Sequence, residues 1–524
     1  MRLKKNQILV NLTFLILFLI GLNISGGFGL SWDSMQRSSG IRTAGYILTK
    51  IGITNPLQND YKIYPRDHND AYGVIFDLTS ISFEKLFNLK GKKEIYTMRH
   101  RLNFTIYFLG CLFYFFLSKR IFGLKVALVS IFLYAFHPRL LAHGFFNPKD
   151  SILQAFVIIS LYPIYLAIEQ NKSKWFILSG IMMGICTSTR IMMLYLPFLF
   201  FLAIFSINIK NMFNKNLNIK LLKNCGLTLS FFIISLFFSW PILWEDPVTS
   251  FIWAFNIMKN FPWGGDVLFM GEIISSNNLP WFYIPVWYFI TTPLIFLLLF
   301  IIGMIISLSP LINNSQKKYR MLYFSISGIF IPLISVIVLK SNLYDGWRHF
   351  YFIYPFIALV ATYGYDYLSG YIKKNKFPRS KFFVSFIFII SIISPSLVSI
   401  IKMHPHQNTY FNFLAGSDPL LKYEGDYWGV SYKQGIEKLL ALKNGDILLA
   451  VGNFPGKNNL QMIDETERKR IKIVDLENAD YFMTNFRSDL SNYIKSNNSL
   501  YPFNNELFSI KYGEMKILGV YEIN

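Results

Sequence analysis

The sequence is poor in charged residues and in cysteine. Charged residues make up 15% of its 524 positions, against about 25% in soluble domains. Its three cysteines, Cys111, Cys186 and Cys225, lie in or at the edge of apolar runs, and none has a C-x-x-C partner. This pattern argues against a disulfide framework and against a zinc site, and favours packing roles for the three thiols. No internal repeat is evident either, although repeats are common in secondary transporters.

What the sequence has in excess is apolar surface and positive charge. Hydrophobic residues account for 53% of the chain, 52 of them are Phe, and they occur in blocks, as in a polytopic membrane protein. The net charge of +21 comes without a nucleic-acid-binding motif or basic stretches interleaved with aromatic residues. We therefore assign the positive charge to cytoplasmic loops and to contact with anionic lipid, and expect no nucleic-acid partner.

About eleven apolar runs approach the ~20 residues that a helix needs to cross a bilayer. The first run follows Arg2, Lys4 and Lys5 like a signal peptide, but it is long and lacks a clear cleavage site before Trp32, so we predict a membrane helix. The predicted spans cover residues 8–28, 102–118, 121–137, 151–168, 175–190, 192–208, 226–243, 285–308, 321–340, 350–367 and 383–402.

The loop charges predict the orientation. With a cytoplasmic N-terminus, the lysine-rich short loops all fall inside, which is the positive-inside pattern. The transmembrane domain then covers residues 1–403, with a long first outer loop, 30–101, and the C-terminal domain, 404–524, is extracytoplasmic. Loop segment 77–90 has the spacing of a short interfacial helix. The cytoplasmic cations include Lys119, Arg120, Lys172, Lys174, Lys220, Lys223, Lys318, Arg320, Lys373 and Lys374.

The C-terminal domain alternates strand-like runs with polar segments that are compatible with helices. The fold class is therefore a polytopic α-helical membrane protein with a small C-terminal α/β domain. The strand-like runs cover residues 447–451, 471–474, 481–484 and 515–520.

Asp33 is the first acidic residue after the first predicted span. An ionisable residue at a membrane boundary is a candidate functional group, and a carboxylate here suits a general base for an acceptor hydroxyl. The alternative is that Asp33 only caps the following helix.

The second outer loop, 137–150, is unusually polar for a short connection between membrane helices. Arg139 and Lys149 suit a phosphate, and Asp150 suits a metal or a partner cation. In the alternative interpretation, Asp150 caps the next helix and Lys149 extends to the interface. His137 and His143 are either metal ligands or hydrogen-bonded structural residues, and the latter is the commoner role.

Three further residues add to the positive charge on the same outer side. Arg348 and His349 directly precede a membrane helix, and Arg190 lies between the fifth and sixth spans. Such cations stabilise a phosphate leaving group strongly where water is scarce. The alternative for Arg348 is a residue that anchors the helix at the membrane interface.

Several stretches together resemble bacterial polytopic glycosyltransferases of the GT-C superfamily, in the family 39 group that includes protein O-mannosyltransferases and the aminoarabinose transferases acting on lipid A. The resemblance runs over most of the chain. It is carried by Trp32-Asp33, His137-Pro138-Arg139 through Asp150, Trp240-Pro241, Trp244-Glu245-Asp246-Pro247, Phe261-Pro262-Trp263-Gly264-Gly265, Pro280-Trp281-Phe282-Tyr283-Ile284-Pro285, Tyr344-Asp345-Gly346-Trp347-Arg348-His349, Tyr410-Phe411-Asn412 and Asp426-Tyr427-Trp428-Gly429.

The resemblance implies a GT-C fold and transfer of a sugar from a polyprenyl-phosphate donor at the extracytoplasmic face of the plasma (inner) membrane. It maps the catalytic acidic residue to Asp33 and a supporting one to Asp150. The phosphate of the donor would be bound by Arg139, Lys149, Arg190, Arg348 and His349. The family often has Asp-Glu at the first position, where this sequence has Asp33-Ser34, so paired carboxylates are absent there and a divalent metal is an open question.

The sequence thus predicts an inverting membrane glycosyltransferase that binds a polyprenyl-phosphate sugar, membrane lipid and an acceptor, whether glycan, lipid or protein. One rival hypothesis is a transporter or lipid flippase, but the polar residues cluster outside the spans rather than at mid-span. Another is a scaffold whose C-terminal domain binds a partner.

Overall fold

A computed structural model describes residues 2–53, 68–213, 219–259, 261–308, 317–374, 378–487 and 501–523. Up to Met403 the chain is a bundle of helices with one short β-hairpin. The helices are α1 Arg2–Ile24, α2 Arg37–Lys50, α3 Ile75–Leu86, α4 Lys92–Phe122, α5 Leu124–Ala135, α6 Pro138–Phe146, α7 Asp150–Gln170, α8 Ser173–Thr189, α9 Tyr195–Phe213, α10 Ile219–Ser239, α11 Pro247–Lys259, α12 Tyr283–Thr291, α13 Leu294–Ser307, α14 Lys317–Leu339, α15 Tyr354–Lys374 and α16 Pro378–Met403.

Helices coincide with all eleven predicted spans, but fewer of them meet the requirements of a membrane crossing. Among the described residues, seven helices are long and apolar enough, or eight if the bent pair α5–α6 is one span. The estimate of about eleven was too high by this criterion. Of the predicted spans that do not qualify, α8 has 17 residues and α13 has 14, α5 ends at a bend of 67° to α6, and α15 has 21 residues but is not among the helices that are apolar enough.

The predicted interfacial segment 77–90 overlaps α3, so its helical character is confirmed. Leu86 and Phe87 at its end are 74% and 60% exposed, which leaves an apolar surface free to contact lipid. Residues 54–67 of the same outer loop lie outside the described residues.

The C-terminal region forms a five-stranded mixed sheet in the order β4-β3-β5-β7-β6. The four predicted strands are confirmed as β3, β4, β5 and β7, while β6 and the earlier hairpin β1–β2 were missed. The strands are β1 Asp266–Phe269, β2 Glu272–Ser275, β3 Ile447–Val451, β4 Ile471–Ile473, β5 Tyr481–Thr484, β6 Glu506–Tyr512 and β7 Met515–Glu522. Three helices accompany the sheet: α17 Ser431–Leu442, α18 Phe454–Asn459 and α19 Glu465–Arg468.

The C-terminal sheet and its helices are fastened to the start of the first outer loop by Asn459. The Asn459 side chain accepts a hydrogen bond from the Leu30 amide at 2.7 Å and donates one to the Leu30 carbonyl at 3.0 Å. A side chain at Gly29 would place its Cβ 2.2 Å from the Val430 carbonyl oxygen. The loop that carries Asp33 is therefore held from both its membrane helix and the C-terminal region.

Candidate active site

The peptide around Asp33 is a short 3-10 turn, Trp32–Gln36, between α1 and α2. The Ser34 hydroxyl accepts a hydrogen bond from the Ser31 amide at 3.1 Å, and the Ser31 hydroxyl donates one to the Phe146 carbonyl at 3.1 Å. Since Phe146 ends α6, this bond fixes the Asp33 turn against the second outer loop.

Asn147 organises the start of α7. Its side-chain oxygen accepts hydrogen bonds from the Lys149 and Asp150 amides, at 3.1 and 2.9 Å, a local pattern typical of Asn before a helix. Its amide nitrogen donates to Asp150 Oδ2 at 3.1 Å and contacts His143 Nδ1 at 3.0 Å. Asn147, rather than the Asp150 carboxylate, thus accepts from the backbone amides at the start of α7. The Asp150 carboxylate is left to bind cations.

Asp33 and Asp150 share Arg348. Its Nη1 atom lies 3.3 Å from Oδ2 of each carboxylate. Arg190 Nη2 is 2.8 Å from Asp150 Oδ1, and Lys149 Nζ is 3.9 Å from Asp33 Oδ1. The structure therefore brings together five of the seven residues predicted from the sequence, from four separate segments of the chain.

Aromatic rings surround the three cations. Lys149 Nζ lies 3.7 Å from the centre of the Tyr72 ring, and the Arg348 guanidinium lies 4.9 and 4.7 Å from the ring centres of Tyr344 and Trp428. Such faces stabilise cations by cation–π attraction while excluding water. A charge in this enclosure interacts with its neighbours more strongly than at an open surface.

These buried surroundings shift the pKa values of Asp33, Lys149 and His349, which lie outside the membrane helices. Burial raises the pKa of Asp33, but the charges of Lys149, Arg348 and Arg190 outweigh it and hold that pKa below its usual value. Burial lowers the pKa of Lys149 to about 8, although Asp33 opposes this shift. Burial, together with Arg348, Arg190 and Lys149, lowers the pKa of His349 far below its usual value, so that His349 is neutral at physiological pH.

An apolar cavity of about 270 Å³ opens beside the cluster. Tyr72, Arg190, Tyr344 and His349 are among its lining residues, together with residues of segment 191–195, of α11 and of α14. The apolar lining includes Leu194, Tyr195, Phe255, Met258, Pro332, Val336 and Leu339. Arg190 thus lines a cavity whose apolar walls suit a hydrocarbon chain, and it is joined through Asp150 to Arg348 of the ion-pair cluster.

Two of the predicted residues lie outside the ion-pair cluster. The Arg139 Nε atom donates to the Tyr410 carbonyl at 2.8 Å, and its guanidinium packs 4.6 Å from the Phe411 ring and 5.3 Å from the Trp287 ring. His349 packs edge-on against Tyr344, with ring centres 4.6 Å apart, and offers a neutral ring to the cavity. Arg139 therefore connects α6 to the segment after α16.

Several residues of the site were not singled out from the sequence. Tyr72 follows no periodic pattern, and Asn147, Asp345 and Trp428 stand within the stretches that carry the family resemblance without a predicted role of their own. The Asp345-Gly346 pair is a turn signal, and its φ angles are 58° and 69°. This turn places Asp345 Oδ2 3.2 Å from Arg348 Nε.

The arrangement does not fit a metal ion between the two acidic residues, because Arg348 occupies the position between their carboxylates. In the described part of the chain no group of three His, Cys, Asp or Glu side chains is placed to hold a metal. His143, one of the two histidines considered as ligands, instead contacts Asn147 and the Tyr351 hydroxyl, the latter at 3.1 Å.

Comparison with known proteins finds a family profile that matches part of the chain and a solved structure with a similar fold. A family profile described as dolichyl-phosphate-mannose-protein mannosyltransferase matches residues 101–240. No protein of curated function matches the chain significantly in sequence. The fold is similar to the crystal structure of ArnT from Cupriavidus metallidurans bound to undecaprenyl phosphate, at 12% identity over 97% of both chains and a TM-score of 0.50.

A weaker similarity relates the chain to an archaeal enzyme. The oligosaccharyltransferase of Archaeoglobus fulgidus, tethered to an acceptor peptide, matches 87% of this chain and 64% of its own at 11% identity, with a TM-score of 0.46, too low to support an argument.

The family match and the fold together define the class of protein. It is a multi-pass membrane protein with a fold similar to that of ArnT, and residues 101–240 match a mannosyltransferase family profile. The class predicted from the sequence is confirmed, and a transporter is disfavoured.

Proposed function

We propose that the chain transfers a sugar from a polyprenyl-phosphate donor to an acceptor hydroxyl, with inversion at the anomeric carbon. One observation carries the proposal: Lys149 and Arg348 pair with Asp33, and Arg190, which belongs to the same ion-pair cluster through Asp150, lines an apolar cavity. A hydrocarbon chain in the cavity would bring its phosphate to these cations. The undecaprenyl phosphate bound to the structurally similar ArnT supports a ligand of this class.

Asp33 would act as the general base. It is 16% exposed, while Asp150 is 2% exposed and lies between two arginines. A donor phosphate would compete with Asp33 for Lys149 and Arg348. Because those charges hold the Asp33 pKa down, their engagement by phosphate would raise that pKa and make the carboxylate a better base.

The chemical step follows from this placement. Asp33 takes the proton of the acceptor hydroxyl, and the hydroxyl oxygen bonds to the anomeric carbon. The bond from that carbon to the phosphate oxygen breaks, and its electron pair leaves with the polyprenyl phosphate. Lys149, Arg190 and Arg348 stabilise the charge that develops on the phosphate, while Asp150 holds the two arginines in position.

The proposed location is the plasma (inner) membrane, with the N-terminus in the cytoplasm and the C-terminal domain outside. The Asp33 turn follows α1, Asp150 begins α7, Arg190 follows α8 and Arg348 precedes α15, so all four lie at one end of the helices. The basic residues at the end of α4 and between α7 and α8 lie at the opposite end, which the positive-inside rule assigns to the cytoplasm.

The experiment measures sugar transfer by the protein after purification and reconstitution into lipid. Wild type and Asp33→Asn are incubated with a panel of radiolabelled polyprenyl-phosphate sugars and envelope extract, and Asp446→Asn, an exposed acidic residue of the C-terminal region, serves as the matched control. Wild type and the control should label an acceptor, and Asp33→Asn should lose at least a hundredfold in rate. Near-normal turnover by Asp33→Asn would rule out its assigned role, and no transfer from any donor would rule out the function.

A further inference from the structure

The C-terminal region reaches the candidate site through Arg487, which follows strand β5. Its Nη2 atom lies 2.5 Å from Asp345 Oδ1, and the two side chains are 15% and 6% exposed. Its Nη1 atom donates to the Tyr427 carbonyl at 2.5 Å, and the guanidinium is 5.8 Å from the centre of the Trp32 ring, beside Asp33. Arg487 therefore touches three segments that enclose the site.

Asp345 connects Arg487 to the cation at the centre of the site. One carboxylate oxygen binds Arg487, and the other lies 3.2 Å from Arg348 Nε. The Nη1 atom of Arg348, on the other side of the same guanidinium, faces Asp33 and Asp150. A continuous chain of ion pairs thus runs from the C-terminal sheet to Asp33.

The geometry of Asp345 shows why Arg487 matters to Arg348. A carboxylate has two oxygens, and a guanidinium frequently binds both of them. Arg487 occupies one oxygen, which leaves Arg348 a single contact to Asp345. Without Arg487, Asp345 would be free to take two bonds from Arg348 and draw its Nη1 atom away from Asp33 and Asp150.

We propose that Arg487 is a positioning residue for Arg348: through Asp345, the C-terminal region orients the guanidinium that faces the donor phosphate. This inference rests on the proposed function, because it gives Arg348 a phosphate ligand. It also gives the C-terminal region a part in catalysis without contact with substrate. Glu424, a buried acid of the C-terminal region, lies near the ion pair of Arg487 and Asp345, since Arg487, Asp345 and Arg348 all influence its pKa.

The test compares Arg487→Ala and Arg487→Lys with Arg470→Ala in the full chain in lipid. Arg470 is the matched control, since it also pairs with an acidic residue, Glu467, and with two backbone carbonyls of the same sheet region. The measurements are the affinity for undecaprenyl phosphate, kcat and KM for transfer, and the thermal unfolding midpoint.

Arg487→Ala should weaken binding of undecaprenyl phosphate about tenfold and lower kcat about a hundredfold. Arg487→Lys should recover part of both, because an ammonium still occupies one oxygen of Asp345. Arg470→Ala should leave affinity and kcat within about twofold of wild type, whatever its unfolding midpoint.

Equal affinity and kcat in wild type and Arg487→Ala would overturn the inference while leaving the proposed function intact. Equal losses in Arg487→Ala and Arg470→Ala, with parallel losses of stability and no recovery by Arg487→Lys, would also overturn it, since the role would then be structural. If wild type neither binds undecaprenyl phosphate nor transfers sugar, the proposed function fails and the inference falls with it.

Discussion

The Nη1 atom of Arg348 lies 3.3 Å from Asp33 Oδ2, joining a residue just after the first helix to one 315 positions later in the chain. The same atom lies 3.3 Å from Asp150, yet the two acids differ in environment. Asp33 is partly exposed, and Asp150 is enclosed by two arginines. This difference predicts different consequences when each charge is removed.

Asp150→Asn should destabilise the protein, whereas Asp33→Asn should affect mainly activity. Removal of the Asp150 charge leaves Arg190 and Arg348 buried together without their shared partner, and the expected loss is about 3 kcal/mol in the free energy of unfolding. The thermal midpoints of the two variants in lipid, measured against wild type, check this. Equal midpoints for Asp150→Asn and wild type would contradict the bridging role of Asp150.

Lys149 should make the binding of undecaprenyl phosphate sensitive to pH. In the ligand-free protein its pKa is lowered to about 8, so the ammonium is present below that pH and is lost as pH rises through it. The second ionisation of a phosphate monoester, with a pKa of about 6, is complete before this change. The affinity for undecaprenyl phosphate should therefore fall between about pH 7 and 9.

Lys149→Arg is the control for this pH dependence, because a guanidinium keeps its charge throughout the range. Its affinity should change less with pH than that of wild type, even if its absolute value is lower. Parallel pH profiles for the two proteins would show that another group titrates.

Arg139→Lys should cost stability and not donor affinity. The lysine cannot reproduce both the bond to the Tyr410 carbonyl and the planar contacts with Phe411 and Trp287, so we expect a loss of about 2 kcal/mol in the free energy of unfolding. Below the unfolding transition, its affinity for undecaprenyl phosphate should match that of wild type. A tenfold loss of affinity would instead support the phosphate-binding role predicted from the sequence.

The sequence was most informative where chemistry and position in the chain coincide. Asp33, Lys149, Asp150, Arg190 and Arg348 all flank apolar runs, and the charge pattern of the loops predicts that these ends lie on one side of the membrane. Packed helices begin and end near one another, so residues that flank neighbouring helices at one end of the bundle meet there. The structure brings these five side chains together at that end.

The residues that the sequence could not place depend on tertiary contacts. Arg139 has a suitable charge and is predicted on the same side of the membrane, but the direction of its side chain is set by a segment more than 270 residues away. Arg487 lies in a region with no recognisable chemical pattern and reaches the site only because β5 ends beside Asp345. By length and composition the number of spans was overestimated, because an apolar run in the sequence does not show where its helix stops short, as in α8 and α13, or bends, as between α5 and α6.

The groove beside Arg190 gives the most direct test of the lipid ligand. Val336 lies on α14 and lines the groove, whereas its neighbour Ile337 is 44% exposed on the outside of the bundle. Val336→Trp should fill part of the cavity of about 270 Å³ and weaken binding of undecaprenyl phosphate about tenfold, because several methylenes lose their contact with protein. Ile337→Trp adds a similar volume on the lipid-facing side and should leave the affinity within about twofold of wild type.

A short-chain prenyl phosphate that engages the cations without filling the groove should bind wild type and Val336→Trp alike. Equal affinity of the two tryptophan variants for undecaprenyl phosphate would show that the hydrocarbon tail lies elsewhere, while a loss for both lipids in Val336→Trp alone would show that the change had reached the cations themselves.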